Sequence, residues 1–295
     1  MTRFSRQSAG WFYVAPATLY LLAFAIAPMI ACGWYALHRW PLIKPGHEFI
    51  GLGNFSDILS GVEFRGAIWN TLRFVLYGVP ASVALALAVA LLVAPPLRGM
   101  GFFRTLFYVP AVCSQVALSM LWSWIFLPGV GLINTILGWL GFDSGNNFLA
   151  SPTWAMFALV TLFMWLGLGP RMIIFVAGLH AIPTTLYEAA SLDGCGGWAR
   201  FRHVTLPMLL PTTLFIVVTT TIAAFQIFTP VYMLTQGGPQ HTTDVVLYHI
   251  YNEAWQKFEL GSASAMSYIL LAMILAVSLV QLRLMRDGLR GETVQ

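Results

Sequence analysis

The sequence predicts an all-α, polytopic membrane protein with six transmembrane helices. Three observations lead there. Of 295 residues, 58% are hydrophobic and only 9% are charged, whereas an average globular domain is about 25% charged. Six mainly apolar runs reach the roughly 20 residues that a membrane-spanning helix needs. Within each run the apolar side chains occur all round the helix and not on one stripe, as expected of a segment with no aqueous face. An ordinary soluble domain and a disordered chain are both excluded.

The runs lie at about 12–36, 71–94, 105–127, 153–179, 207–234 and 263–284, within one transmembrane domain covering 1–295. The first follows Arg3 and Arg6 and admits a second reading as a signal peptide, with "MIAC" at 29–32 as a lipoprotein-like cleavage site. Its apolar stretch is long for a signal h-region, and Met29 and Ile30 fit the lipoprotein pattern poorly. The second contains Ala84/Ala88 and Ala86/Ala90, small-xxx-small pairs that let helices approach closely in lipid. Loops between runs are short: "FIGLGNFSDIL" lies in 37–69, "GVGLINTILGWLGF" in 128–152, and "TQGGPQHT", whose Gly-Gly-Pro reads as a turn, opens 235–262.

Arginine and lysine bias sets the expected orientation. With the N-terminus inside, the inner segments hold Arg3, Arg6, Arg98, Arg104, Arg200, Arg202, Arg283, Arg286 and Arg290. The outer ones hold only Arg39, Lys44, Arg65 and Lys257. Both termini are therefore expected in the cytoplasm, and so is the loop 180–206.

Several chemistries have no residues to carry them. The two lysines, in "LIKPG" and "WQKFE", do not fit a phosphate-binding P-loop. No His-Glu-x-x-His or Gly-x-Ser-x-Gly occurs, and Cys32, Cys113 and Cys195 show neither disulfide nor zinc spacing. His180, His203, His241 and His249 read as interfacial residues near span ends. The six runs contain no Asp or Glu, which argues against a proton relay. Sodium coupling through backbone carbonyls remains an alternative, as an ion-coupled secondary transporter. A membrane enzyme would need a polar catalytic cluster, and none is evident.

The polar loop "YEAASLDGCGGWARFRHVTLP", 187–207, stands out among the runs. Thr185 and Glu188 have capping-box spacing, which predicts a helix over about 186–193. Gly194 is placed to end it with positive φ. Ala189 and Ala190 leave one face bare, so another backbone can come close. Pro207 suits the first turn of the fifth span. On spacing alone the helix is equally a plain surface connector.

The residues "EAASLDG" at 188–194, nine further residues, and "VTLP" at 204–207 resemble the EAA loop of the membrane subunits of binding-protein-dependent ABC importers. Val204 stands where isoleucine is usual, and Cys195 where alanine is. "GFFRTLFYVPAV" at 101–112, "FIGLGNF" at 49–55 and "LTQGGP" at 234–239 resemble the sugar-permease branch related to maltose-type importers, with glycerol-phosphate-type relatives. The resemblance implies the type I ABC importer permease fold in a cell or inner membrane. It implies a cytoplasmic ABC ATPase dimer, a second related permease and an extracytoplasmic solute-binding protein as partners, besides the lipid bilayer. Nucleic acid is not among them. No cofactor is expected in this chain, and ATP and Mg belong to the partner ATPase. Carried over, Glu188 contacts the ATPase, Ala189 and Ala190 allow a close fit, and Gly194 turns the chain. Asp193, Leu206 and Pro207 complete the coupling set.

For the solute, a carbohydrate is expected, with a glycerol-phosphate-type solute as the alternative. Aromatic faces and amide or hydroxyl groups suit such a ligand. The sparse polar or roomy positions inside the runs are Gln115 and Ser119, Trp165 and Gly167, Thr220 and Gln226. Interhelical hydrogen bonding or packing is the plain alternative for each. Arg171 lies eight residues before the fourth run ends, where snorkelling to the cytoplasmic edge is expected. The alternative places it on the pathway, favouring an anionic or phosphorylated solute.

Overall fold

The computed structural model describes residues 13–43, 46–143 and 145–291, with side chains up to 284. Phe12, Arg3, Arg6 and Lys44, used above, lie outside the described residues, as do the side chains of Arg286 and Arg290. Most of the described chain is helix. In order come α1 (Tyr13–Ala36), a two-residue antiparallel pair β1 (His38–Arg39) and β2 (Glu48–Phe49), α2 (Gly53–Ser60) and α3 (Val62–Val93). Then follow α4 (Met100–Val112), α5 (Gln115–Ile125), α6 (Leu132–Trp139), α7 (Ala155–Leu166) and α8 (Leu168–His180). The remainder are α9 (Thr184–Leu192), α10 (Gly197–Met208), α11 (Leu210–Phe225), α12 (Thr229–Leu234), α13 (Val246–Trp255) and α14 (Leu260–Gly291).

Among the described residues, three helices are long and apolar enough to cross a membrane unaided: Tyr13–Ala36, Val62–Val93 and Leu260–Leu284. Three further spans are pairs of helices, α4/α5, α7/α8 and α10/α11, bent by 102°, 50° and 66°. Counting each pair once gives six spans. The runs at 105–127, 153–179 and 207–234 are thus interrupted. Prolines account for two of the bends. Pro170 has no N–H to give the Leu166 carbonyl, and the chain turns at Gly167; Pro211 likewise leaves the Pro207 carbonyl, and the chain turns at Leu209. At the first bend, Cys113 and Ser114 are extended and Ser114 starts α5 without a side-chain cap. A further interruption falls inside the run read as 207–234. Pro230 cannot donate to the Gln226 carbonyl, so α11 ends at Phe225 and α12 restarts at Thr229.

The chain forms two compact units. The first holds residues up to Val62 together with Ile250–Ile269. In it Asn54 donates through Nδ2 to the carbonyls of Ala36 (2.8 Å) and His38 (2.9 Å), fastening α2 to the end of α1. The Tyr268 hydroxyl donates to the Met29 carbonyl at 2.7 Å.

The second unit holds Glu63–His249 and residues from Leu270 onward. Ala86 and Ala90, on α3, are fully buried in a cluster with Met172 and Phe175 of α8 and Leu209 and Ile216. Of the two small-residue pairs, this one forms the close seam, while Ala84 and Ala88 are not buried. Helix α4 packs directly on α8, and Gly169 makes that possible: a Cβ there would lie 2.6 Å from the Phe107 carbonyl oxygen and from Tyr108 Cα. Arg104 closes the end of α3, donating from Nε and Nη2 to the Val93 carbonyl (3.0 and 2.7 Å) and from Nη2 to Ala94 (3.0 Å). A cation at a helix C-terminus is also favoured by the helix dipole.

The 235–245 loop of this unit is fixed by side chains. Asn70 donates to the carbonyls of His241 (2.7 Å) and Asp244 (3.0 Å), and the Val246 N–H donates to Thr71 Oγ1 at 2.9 Å. His249 is buried and its Nδ1 lies 2.8 Å from Asp244 Oδ2. It is a structural partner inside the fold and not the interfacial residue expected.

Candidate functional site

Three helix breaks of the second unit meet at one cavity of about 260 Å³. Helix α5 brings Gln115, its first residue. The α7/α8 bend brings Phe163, Gly167 and Arg171. The α11/α12 interruption brings Gln226, Ile227 and Thr229. Unwinding matters because broken helices leave backbone groups and first-turn side chains facing one another inside the bilayer, where an unbroken helix would present only its sides. Helix α12 packs against both α5 and α7, which closes the cavity's wall.

Among the described residues, Arg171 is the one charged side chain on this lining. Its Nε donates to Thr220 Oγ1 at 2.9 Å, and its guanidinium carbon lies 4.9 Å from the centre of the Phe163 ring, a cation–π distance. Nη1 is buried with no hydrogen-bond partner among the described residues. Gly167 creates the space, since a Cβ built on it would overlap the guanidinium. The snorkelling expected from sequence is therefore corrected: Thr220 and Phe163 hold the charge at the cavity, and the side chain does not extend to the span's end.

Of the seven solute-contact candidates, Gln115, Gly167, Arg171 and Gln226 line this cavity. Thr220 is 2% exposed and acts behind Arg171. Ser119 does not reach the cavity; it is fully buried and its hydroxyl donates back to the Gln115 carbonyl at 2.7 Å. Trp165 turns away as well. It packs on Trp122, with ring centres 5.6 Å apart, and borders a different recess beside Phe107, Pro110 and Cys113. Both residues follow the packing alternative. Residues missed from sequence include Phe163, Ala223 and Ile227, apolar positions without a local signature. Pro170 and Pro230 were the available signal, since each marks where a helix must open.

The loop that resembles the EAA element forms α9. Its start differs from the expectation. Pro183 occupies the N-cap position, no side chain caps the helix, and the Thr185–Glu188 box does not form. Pro183 already directs the chain into the helix, which begins one residue before Thr185. The end follows the glycine rule. Gly194 has φ +75°, its N–H bonds the Ser191 carbonyl (3.2 Å), and the Cys195 N–H bonds the Ala190 carbonyl (2.9 Å), a Schellman closure. Helix α9 packs on the 201–205 turn of α10, and Tyr187 Oη lies 3.0 Å from Thr205 Oγ1. Glu188, Ala189 and Asp193 are exposed, but Ala190 is buried. The bare face is thus Ala189 alone, because Ala190 is used by the chain's own packing. Leu192 is 90% exposed and Trp198 72%, an apolar surface flanking the acidic pair. Leu206 is exposed and Pro207 half-buried; α10 runs through both, so Pro207 lies inside it and does not begin the next span.

A six-span helical fold with broken helices around a cavity and an exposed short helix between spans fits a transport permease. The chain belongs to the family described as binding-protein-dependent transport system inner membrane component, which matches residues 68–287. It is the membrane-spanning permease subunit of an ABC importer. Its relatives carry more particular names. It is 34% identical over 276 residues to the probable ABC transporter permease protein YesP of Bacillus subtilis (strain 168), covering 92% of this chain and 88% of that protein. It is 32% identical over 286 residues to the sn-glycerol-3-phosphate transport system permease protein UgpA of Agrobacterium fabrum, covering 95% of each. To the lactose transport system permease protein LacF of Rhizobium radiobacter it is 33% identical over 293 residues, covering 94% of each. Its fold matches a solved bacterial ABC transporter involved in import of the acidic polysaccharide alginate, with a TM-score of 0.83 and 24% identity over 96% of both chains.

Proposed function

We propose that this permease forms part of the translocation pathway for a carbohydrate-type solute and is driven by a separate cytoplasmic ATPase that docks on α9. A second related permease completes the pathway, and an extracytoplasmic solute-binding protein delivers the solute. ATP and Mg act in the ATPase and not here, and both termini of this chain face the cytoplasm. The carbohydrate reading is supported by the lactose and glycerol-phosphate systems named among its relatives.

The observation that carries the coupling reading is the α9 surface. A nine-residue helix, tied at its C-terminus by a Schellman closure and fastened to α10 through Tyr187, leaves Glu188, Ala189 and Leu192 exposed. Such a lever is suited to transmit a push because its packing on the 201–205 turn and the Tyr187–Thr205 contact tie it to α10, which continues through a bend into α11. In the cavity, Gln115, Gly167, Arg171 and Gln226 contact the solute while Thr220 positions Arg171.

Two variants test the coupling. Glu188→Lys reverses the charge offered to the ATPase. Gly194→Val forces a β-branched residue into left-handed φ, at about 1–2 kcal/mol. Each should abolish ATP-driven uptake while the protein still inserts and accumulates in the membrane. Normal uptake in both would sink the docking assignment. A mild-detergent pull-down of the wild-type chain should also bring down a P-loop ATPase and a second six-span permease in fixed proportion.

A further inference from the structure

The cavity contains an electrostatic asymmetry that a neutral sugar does not need. Among the described residues Arg171 has one hydrogen-bond acceptor, Thr220, and no carboxylate lines the cavity. Leaving a guanidinium unpaired inside a membrane protein is costly, and such a charge is normally paired with an acceptor or an anion. The chain goes to some length to keep it there. Gly167 clears the space, Phe163 supports the face, and Thr220 fixes Nε. The helix ends at the cavity are mixed in sign: α5 and α8 start there, at Gln115 and Leu168, while α7 and α11 end there, at Leu166 and Phe225, so their dipoles largely offset and Arg171 supplies the net positive charge.

Resting on the cavity's role as part of the solute path, we propose that the transported solute carries an oxyanion, a carboxylate or a phosphate monoester, and that Arg171 is the residue that selects it. An ionised carboxylate or phosphate is acceptor-only, which matches the guanidinium, the donor-only group on the lining. The planar guanidinium suits either oxyanion, through parallel charge-assisted hydrogen bonds. A carboxylate from the second permease would satisfy the same charge. The open volume beside the guanidinium favours a small anion that comes and goes over a fixed side chain that would fill it.

A reporter cysteine tests this without the solute having been identified. In the assembled importer, with Cys32, Cys113 and Cys195 replaced by serine, Ala223→Cys places a thiol on the cavity lining. Its modification is followed with two methanethiosulfonates, one carrying a sulfonate and one a trimethylammonium group. The sulfonate-to-ammonium rate ratio should be about tenfold higher with Arg171 than with Arg171→Gln, and Arg171→Lys should restore most of it. Galacturonate or glycerol 3-phosphate should then slow labelling, and galactose and glycerol should not. The anion that protects identifies the oxyanion as carboxylate or phosphate, and Arg171→Gln should remove the protection. Equal ratios with arginine and glutamine would overturn the proposal, as expected if the partner permease neutralises the charge. Protection by the neutral compounds as strongly as by the anions, or by none of the four, would overturn it too. An introduced thiol that neither reagent reaches in any variant is a different failure, and it would refute the cavity as a solute path altogether.

Discussion

Replacing Gly169 by alanine adds one methyl group, and the structure says where it goes. The new Cβ would lie 2.6 Å from both the Phe107 carbonyl oxygen and Tyr108 Cα, atoms of the α4 backbone. Backbone cannot rotate away as a side chain can, so α4 and α8 must separate along their contact. Overpacking of this kind costs about 1–3 kcal/mol, and the gain in helix propensity on replacing glycine returns up to about 1 kcal/mol. With that gain returned in full the net is about 0–2 kcal/mol, or about 0–8 °C in the unfolding midpoint at 2–4 °C per kcal/mol for a domain of this order, and the difference from a glycine-to-alanine change that meets nothing is the overpacking cost alone. Gly66→Ala is the control. It makes the same chemical change within α3, where a Cβ meets nothing within 4 Å, so only the propensity term remains and the midpoint should hold or rise. Both variants are measured by heating the detergent-solubilised protein and following its monodisperse peak by size-exclusion chromatography. A Gly169→Ala midpoint equal to that of Gly66→Ala would refute the close α4–α8 packing.

Other perturbations separate local roles. Gly167→Ala forces the Arg171 guanidinium out of its place but strikes only the end of a flexible side chain. Its unfolding midpoint should fall less than that of Gly169→Ala, while the anionic-reagent preference at Ala223→Cys drops toward that of Arg171→Gln. Asn70→Leu removes two hydrogen bonds to the 235–245 loop and leaves the His241 and Asp244 carbonyls without them. It should destabilise by about 1–3 kcal/mol and make the loop a new site of limited proteolysis. Arg104→Met keeps an unbranched stem but loses three hydrogen bonds at the end of α3. It should lower the unfolding midpoint, and a midpoint unchanged from wild type would show that water replaces those bonds fully.

Much was legible from the chain alone. Composition and run length determined an all-helical membrane fold, because a backbone in hydrocarbon must satisfy its own hydrogen bonds and an unbroken apolar run can do so only as a helix. The spacing between Glu188 and Pro207 singled out the loop that carries α9, and Gly194 marked its end, because these are local constraints written in neighbouring residues. Four of the seven solute candidates reached the cavity lining simply because polar or glycine positions are rare in such runs. What the sequence left open was direction. Nothing local distinguishes a side chain aimed at a cavity from one aimed at a neighbouring helix, so Ser119 and Trp165 looked no different from Gln115 and Gln226. Ala190 looked as bare as Ala189 until packing on the chain's own interior separated them. The fate of Arg171 was likewise not a local matter, since span position alone favoured the membrane edge. Only the tertiary fold decided it, by bringing Thr220 from 49 residues away, Phe163 from the preceding helix and the space at Gly167 to one point, where a hydrogen bond and a ring face hold the charge inside.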